Sequence, residues 1–221
     1  MATYLDMINR IADELANDGD ITTAQIKNAI QSSITDYAGE QFWFNEAVGT
    51  FSTVAAQELY GSAALSAIPT IIKILSMRIN STGTFTTYIN GVDNDTIEDI
   101  QDGTVTGAPN FYSRFANQIR LYPIPNAVWS IKISYIQTLT ALSADSDSNA
   151  WTNDAEEVIR QAAKKRLAAD ILHSDEIAVR CQAMEDKAYD GLRMENRNRR
   201  SQQLLRTEIS NRRTFNINAG W

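Results

Sequence analysis

Between Val128 and Ile136 the chain reads VWSIKISYI, with Trp129, Ile131, Ile133 and Tyr135 on alternate positions and Ser130, Lys132 and Ser134 between them. Side chains alternate across a strand, so this spacing predicts a strand with one buried and one wet face. Gln118 to Tyr122 has the same β-favouring character, and Pro123, Pro125 and Asn126 between the two runs supply turn chemistry. The pair predicts a β-hairpin. Thr50–Thr53, Thr70–Arg78 and Phe85–Ile89 also read as strands separated by Gly, Pro and Asn, with a short helix at Asp95–Gln101 among them.

Both ends of the chain read as helix instead. Tyr4 to Leu15 places Leu5, Ile8, Ala12 and Leu15 at helical spacing, and Asp18-Gly19-Asp20 ends the run. Thr22 with Gln25 has capping-box form, followed by Ile26, Ile30, Ile34 and Tyr37. The aromatic knot Phe42-Trp43-Phe44 marks the change to β character. Helix returns with Asn153 as the expected N-cap, Glu156 reaching back, and Ile159, Ala163, Leu167 and Ile171 as a stripe. It is expected to stop near His173. Ser174 then caps a last helix with Asp175 and Glu176 in its first turn, lined by Ile177, Cys181, Met184, Ala188 and Leu192, running to about Arg200. The expected fold is α+β and mainly α. Residues 1–46 and 153–200 form a helical bundle, 47–152 a β-rich insertion, and 201–221 an extended C-terminal arm.

At 221 residues and 43% hydrophobic content the chain can bury a real core. No apolar run approaches the roughly 18 residues that span a bilayer. The first helix carries Asp6, Arg10, Asp13 and Glu14 where a signal peptide would be apolar, so a cytosol-like compartment is expected. The single Cys181 excludes an internal disulfide or a multi-cysteine zinc site, and the solitary His173 removes most histidine chemistry. Net charge is −7, but from Arg193 onward seven Arg face only Glu195 and Glu208. The body is acidic and the tail basic, which disfavours nonspecific contact of the body with DNA or anionic membrane.

The segment SQQLLRTEISNRRTFNINAGW, 201–221, is sparse in apolar residues and shows no helical stripe. Ordering it costs on the order of 20 kcal/mol in backbone entropy, so it is either disordered or held by another chain. Phe215, Ile217 and Trp221 are poor residues for a merely solvated end, and TFNIN alternates like a strand that adds to a neighbour's sheet. Arg206, Arg212 and Arg213 suit carboxylates on a protein partner. The same Arg-rich end leaves nucleic-acid binding open as an alternative.

Chemical signals are few. Asp145, Asp147, Asn149, Trp151, Asn153 and Glu156 fall on the ligand positions of a calcium loop. Ala150, however, stands where that loop needs glycine, and a strand enters it rather than a helix. The plainer reading is a polar turn running into an N-cap. His173 and Cys181 lack a third group to orient the imidazole, and Glu98 with Asp99 belongs to a solvated acidic run. No phosphate loop, nucleophile elbow or zinc-protease motif is present. Neither an enzyme nor a cofactor or metal site is expected.

Four stretches together resemble the head-to-tail adaptor, or connector, proteins of tailed bacteriophages, a family that includes the tail accessory factors of short-tailed phages. They are YLDMINRIADEL with ITTAQIKNAIQSSITDYAGEQFWFNE, the central GAPNFYSRFANQIRLYPIPNAVWSIKISYI, LSADSDSNAW leading into AEEVIRQAAKKRLAADIL, and the C-terminal arm. The resemblance implies a structural virion protein assembled in the host bacterial cytoplasm. It implies a ring, usually a homo-dodecamer, docked on the portal protein and meeting a tail tube or nozzle protein. Genomic DNA would pass its channel during ejection without sequence-specific binding, and no membrane is involved. Arg206, Arg212, Arg213, Phe215, Ile217 and Trp221 would contact portal or a neighbouring subunit. The turn bearing Tyr122, Ile124 and Asn126 would face the tail. A different virion ring component, such as a tail-tube or head-completion protein, remains an alternative.

Overall fold

The computed structural model describes residues 2–15, 20–61, 64–65, 71–80, 83–85, 87–100 and 103–211, with the side chains of 201–211 excepted. The chain divides into two compact units, Asn45–Leu139 on the one hand and Met1–Phe44 with Thr140–Trp221 on the other. In chain order the first helices are α1 (Tyr4–Glu14) and α2 (Thr23–Ala38). The β unit then holds β1 (Glu46–Ser52), β2 (Leu59–Tyr60), β3 (Ile71–Asn80), β4 (Thr87–Gly91), α3 (Asn94–Ile100), β5 (Thr106–Gly107), β6 (Phe111–Phe115), β7 (Gln118–Tyr122), β8 (Ile124–Pro125) and β9 (Ser130–Gln137). The chain closes with α4 (Ala150–Asn153), α5 (Glu156–Asp170) and α6 (Asp175–Asn211). The protein is α+β, with six helices and a seven-stranded mixed sheet among the described residues.

In the helical unit, α1 and α2 both start on reciprocal capping boxes, Thr3 with Asp6 and Thr22 with Gln25. Each box satisfies backbone N–H groups that the first turn leaves without partners. α1 buries Tyr4, Met7, Ile8 and Ile11, while Leu5 is exposed, so its inner stripe is rotated from the expected one. The expected cap at Asn153 is also displaced. Asn149 caps α4 with Thr152 as its partner, Asn153 ends that short helix, and α5 begins after Ala155 without a side-chain cap. α5 buries Val158, Ile159, Ala162, Ala163, Leu167 and Ala168. The inner side of α6 is formed by Cys181, Glu185 and Leu192, whereas Ile177 and Met184 are exposed. The predicted aromatic knot is present: Phe42 and Phe44 meet Trp151 edge-on at 6.0 and 5.1 Å between ring centres, and Phe42 also meets Tyr189. Rings in such edge-to-face contact stabilise beyond simple area burial.

The arm expected to be extended from Ser201 is instead helical as far as Asn211. Residues 201–211 carry Gln, Leu, Arg and Glu and neither Gly nor Pro. Extending an existing helix through such residues avoids the nucleation cost, so no apolar stripe is needed. Phe215, Ile217 and Trp221, with Arg212 and Arg213, lie outside the described residues.

In the β unit the strand order is β1-β9-β3-β4-β6-β7-β2. Ile131, Ile133 and Tyr135 are buried and Lys132 is exposed, as the alternation requires. The expected hairpin does not form. β9 lies between β1 and β3, whereas β7 pairs with β6 and β2, with three strands between it and β9. A strand as apolar as β9 gains more from two neighbours than from one edge pairing. The tight hairpin of this region is β6–β7, closed by Ala116 and Asn117 at φ of 46° and 61°. Two consecutive positive-φ residues are what a two-residue hairpin needs to match the strand twist, and Asn tolerates that region well. The core joins Phe51, Tyr60, Met77, Ile79, Ile89, Ile119, Leu121, Ile131, Ile133 and Tyr135.

Candidate partner interface

The turn expected to meet a partner is held on several sides within the β unit. Ile124 N–H donates to the Val105 carbonyl at 3.2 Å and Asn126 N–H to the Gly107 carbonyl at 3.3 Å, so β8 lies parallel to β5. Ala56 N–H donates to the Pro125 carbonyl at 2.8 Å, and the Tyr122 hydroxyl to the Ile100 carbonyl at 3.0 Å. Tyr122 and Ile124 are therefore half-buried spacers, and Asn126 is the exposed member of the three. Next to it stand two apolar side chains that the sequence reading did not single out. Val54 and Val128 are 53% and 71% exposed, flanking Thr53 and Trp129, whose main chains and the Thr53 hydroxyl are mutually hydrogen-bonded. Branched side chains held in water on a fixed turn are candidates for burial by a partner. Their signal lay in the residues next to the turn, hidden because Val128 read as the first position of a strand and Val54 fell just past the end of the expected strand Thr50–Thr53.

The β unit also buries a charge. Arg120 on β7 is 8% exposed and donates to Glu58, Glu98 and, at 3.1 Å, the Asn94 side chain. That fork ties α3 and the entry to β2 onto the sheet, and it holds the Glu98 carboxyl below its usual range through the Arg120 hydrogen bond. Glu98 is thus a structural partner.

The calcium-like loop of the helical unit spends its side chains on protein groups. Asp145 pairs with Lys27 at 2.7 Å, and Glu156 pairs with Arg10 and Arg160. Asp147 accepts the N–H groups of Ser143 and Ala144 at 2.8 and 2.7 Å, which draws its carboxyl below the usual range. Asn149 caps α4, and the Asn153 amide donates to the Asn149 carbonyl. The six positions point to different tasks rather than to one centre. His173 is exposed at a φ of 49°, while Cys181 is buried and its thiol is pushed up by that burial.

The helices are joined by charge. Glu14 at the end of α1 meets both Arg160 and, at 2.6 Å, Lys164 of α5. These line a cavity of about 480 Å³ with Leu15, Arg180 and Cys181. Burial pulls the Lys164 ammonium below its usual range. Glu185 of α6, 4% exposed, accepts from the Tyr37 hydroxyl at 2.5 Å and forms an ion pair with Lys165 at 2.5 Å, while the Lys165 ammonium donates to the Gln182 side chain at 2.9 Å. Burial first and Glu185 second push the Tyr37 hydroxyl strongly upward. The Arg-rich end of α6 is partly engaged too. Arg199 lies over the Trp43 ring at 4.2 Å and pairs with Glu195, and the Asn196 amide donates to the Gln41 carbonyl.

One of the two folded bodies carries an exposed apolar turn and the other a long helix leading into a basic end, and among the described residues no group of three or more His, Cys, Asp or Glu is placed to hold a metal ion. The model of the SU10 adaptor protein family matches residues 2–208, and the chain belongs to this family of phage head-to-tail adaptors. No curated protein matches it. No helix among the described residues is long and apolar enough to cross a membrane.

Proposed function

We propose that this phage structural protein closes, with further copies of itself, into a ring that docks on the portal, meets the tail tube or nozzle on its other side, and lets the genome pass. The family match over nearly the whole chain carries this reading. A dodecamer is the expected stoichiometry. Twelve basic tails on one ring would act together through high effective concentration. The acidic body disfavours adhesion of DNA, which suits a passage through which it slides. The residues from Arg206 through Arg212, Arg213, Phe215 and Ile217 to Trp221 supply the contact to portal or to a neighbouring subunit. The turn at Tyr122, Ile124 and Asn126, extended by Val54 and Val128, meets the tail protein. Engagement of Arg199 with Trp43 and Glu195 favours a protein-linking role for the basic end over a DNA-binding one.

The test is to mix the purified chain with the portal protein of the same phage and image the particles. The expected outcome is a ring of this chain seated on the portal. Failure of the two to associate, with the chain staying monomeric, overturns the reading.

A further inference from the structure

The two edges of the seven-stranded sheet are unlike. One is β2, of two residues, too short to template a further strand. The other is β1, EAVGTFS, seven residues without Lys, Arg or Pro. Natural edges of that length are normally blunted by a positive charge, a proline or a bulge, because their outward backbone groups recruit another strand. Hydrogen-bond parity identifies those groups here. The Asn45 carbonyl accepts Gln137 N–H at 2.9 Å, and Thr53 N–H donates to the Trp129 carbonyl at 2.8 Å. Positions 45 and 53 are therefore bonded to the β9 side, and with them Ala47, Gly49 and Phe51. Val48, Thr50 and Ser52 turn their N–H and C=O groups the other way, where none meets a partner among the described residues. All three side chains are exposed, Val48 by 61%. On the opposite face Ala47 packs against the core, and with Gly49 it leaves a shallow step beside Phe51.

We infer that this edge receives the segment Thr214-Phe215-Asn216-Ile217-Asn218 of a second copy as an added strand. The inference rests on the ring reading above and names its joint. The described helix ends at Asn211, leaving ten residues, 212–221, with a reach of about 34 Å when extended. Pairing along all of β1 needs only about 24 Å. The alternation fits the two faces: Phe215 and Ile217 lie over the step at Ala47 and Gly49, and Thr214, Asn216 and Asn218 join Val48, Thr50 and Ser52 in water. Arg212 and Arg213 bring positive charge to an acidic body. Main-chain hydrogen bonds supply the affinity and the two apolar side chains the register.

Cross-linking between two differently tagged full-length copies tests this, both carrying Cys181→Ala. One has Asn216→Cys, and the other has Val48→Cys, Thr50→Cys or Ser52→Cys, all on the outer face where cross-strand pairs lie within disulfide reach. At least one mixture is expected to yield a product joining the two tags, at least about tenfold above a Leu59→Cys control on the opposite edge. Adding Phe215→Asp with Ile217→Asp to the Asn216→Cys copy is expected to abolish that product. Absence of a mixed product, or a product confined to one copy when both cysteines share a chain, overturns the inference. Association with portal is measured on the same proteins. A chain that docks on portal without the mixed cross-link refutes strand addition alone, whereas one that cross-links but ignores portal upholds the joint and refutes the portal reading.

Discussion

The β unit and the helical unit are held together by different chemistry. Around β9 the core is almost wholly Ile, Leu, Met and aromatic rings, with Arg120 as its single buried charge among the described residues. Across α1, α2, α5 and α6 an apolar core that includes Met7, Ile11, Ile30 and Ile159 is supplemented by Glu14 with Arg160 and Lys164, Asp36 with Arg166, and Glu185 with Tyr37 and Lys165. Three alanines, Ala162, Ala163 and Ala168, are among the most buried residues of α5 and contribute little apolar area each. Burial of large apolar side chains is non-directional and strong, whereas ion pairs gain little unless every partner stays in place. The β unit should therefore be governed by packing volume, and the helical unit by polar completeness as well as by packing.

The largest effect expected from this contrast is at Leu121, fully buried in the sheet core. Leu121→Ala should cost about 2–5 kcal/mol, the lost transfer free energy plus a cavity. Urea denaturation followed by near-ultraviolet circular dichroism would measure it, and a loss below that range would show a core loose enough to collapse around the gap. Glu185→Ala in the helical unit should cost less, about 1–3 kcal/mol, by leaving the Tyr37 hydroxyl without its acceptor and Lys165 without its counter-charge. If Glu185→Leu restores stability fully while Glu185→Ala does not, α6 is held there by volume, and the contrast between the units fails at that site.

This contrast also explains what the sequence revealed. The alternation Ile131, Ile133, Tyr135 was legible because a strand writes its buried face locally, and β7 falls on the expected residues 118–122. Pairing is not local. Nothing in residues 118–136 states that β9 is flanked by β1 and β3, so two adjacent strands read as a hairpin that the sheet separates. β6 was overlooked because FYSRF has no clean alternation, although the following Ala116-Asn117 carried a turn signal. In the helices the capping box at Thr22 was visible, but Arg160 and Lys164, the partners of Glu14, and Tyr37, which donates to Glu185, lie 146 to 150 residues away from those acids in the chain. The helical course of 201–211 was hidden because helix propagation asks for propensity rather than an apolar stripe. Of the candidate interface, the turn at Asn126 was legible, while Val54, Val128 and the open edge of β1 depend on which strands end up outermost.

The central claim is that both units are complete in themselves and that residues 201–221 serve assembly. Deleting 201–221 and measuring, on one preparation, thermal unfolding and association with the portal protein tests it most directly. The account predicts an unfolding transition like that of the full chain together with loss of stable docking. A truncated chain that docks as well as the full-length protein would contradict it.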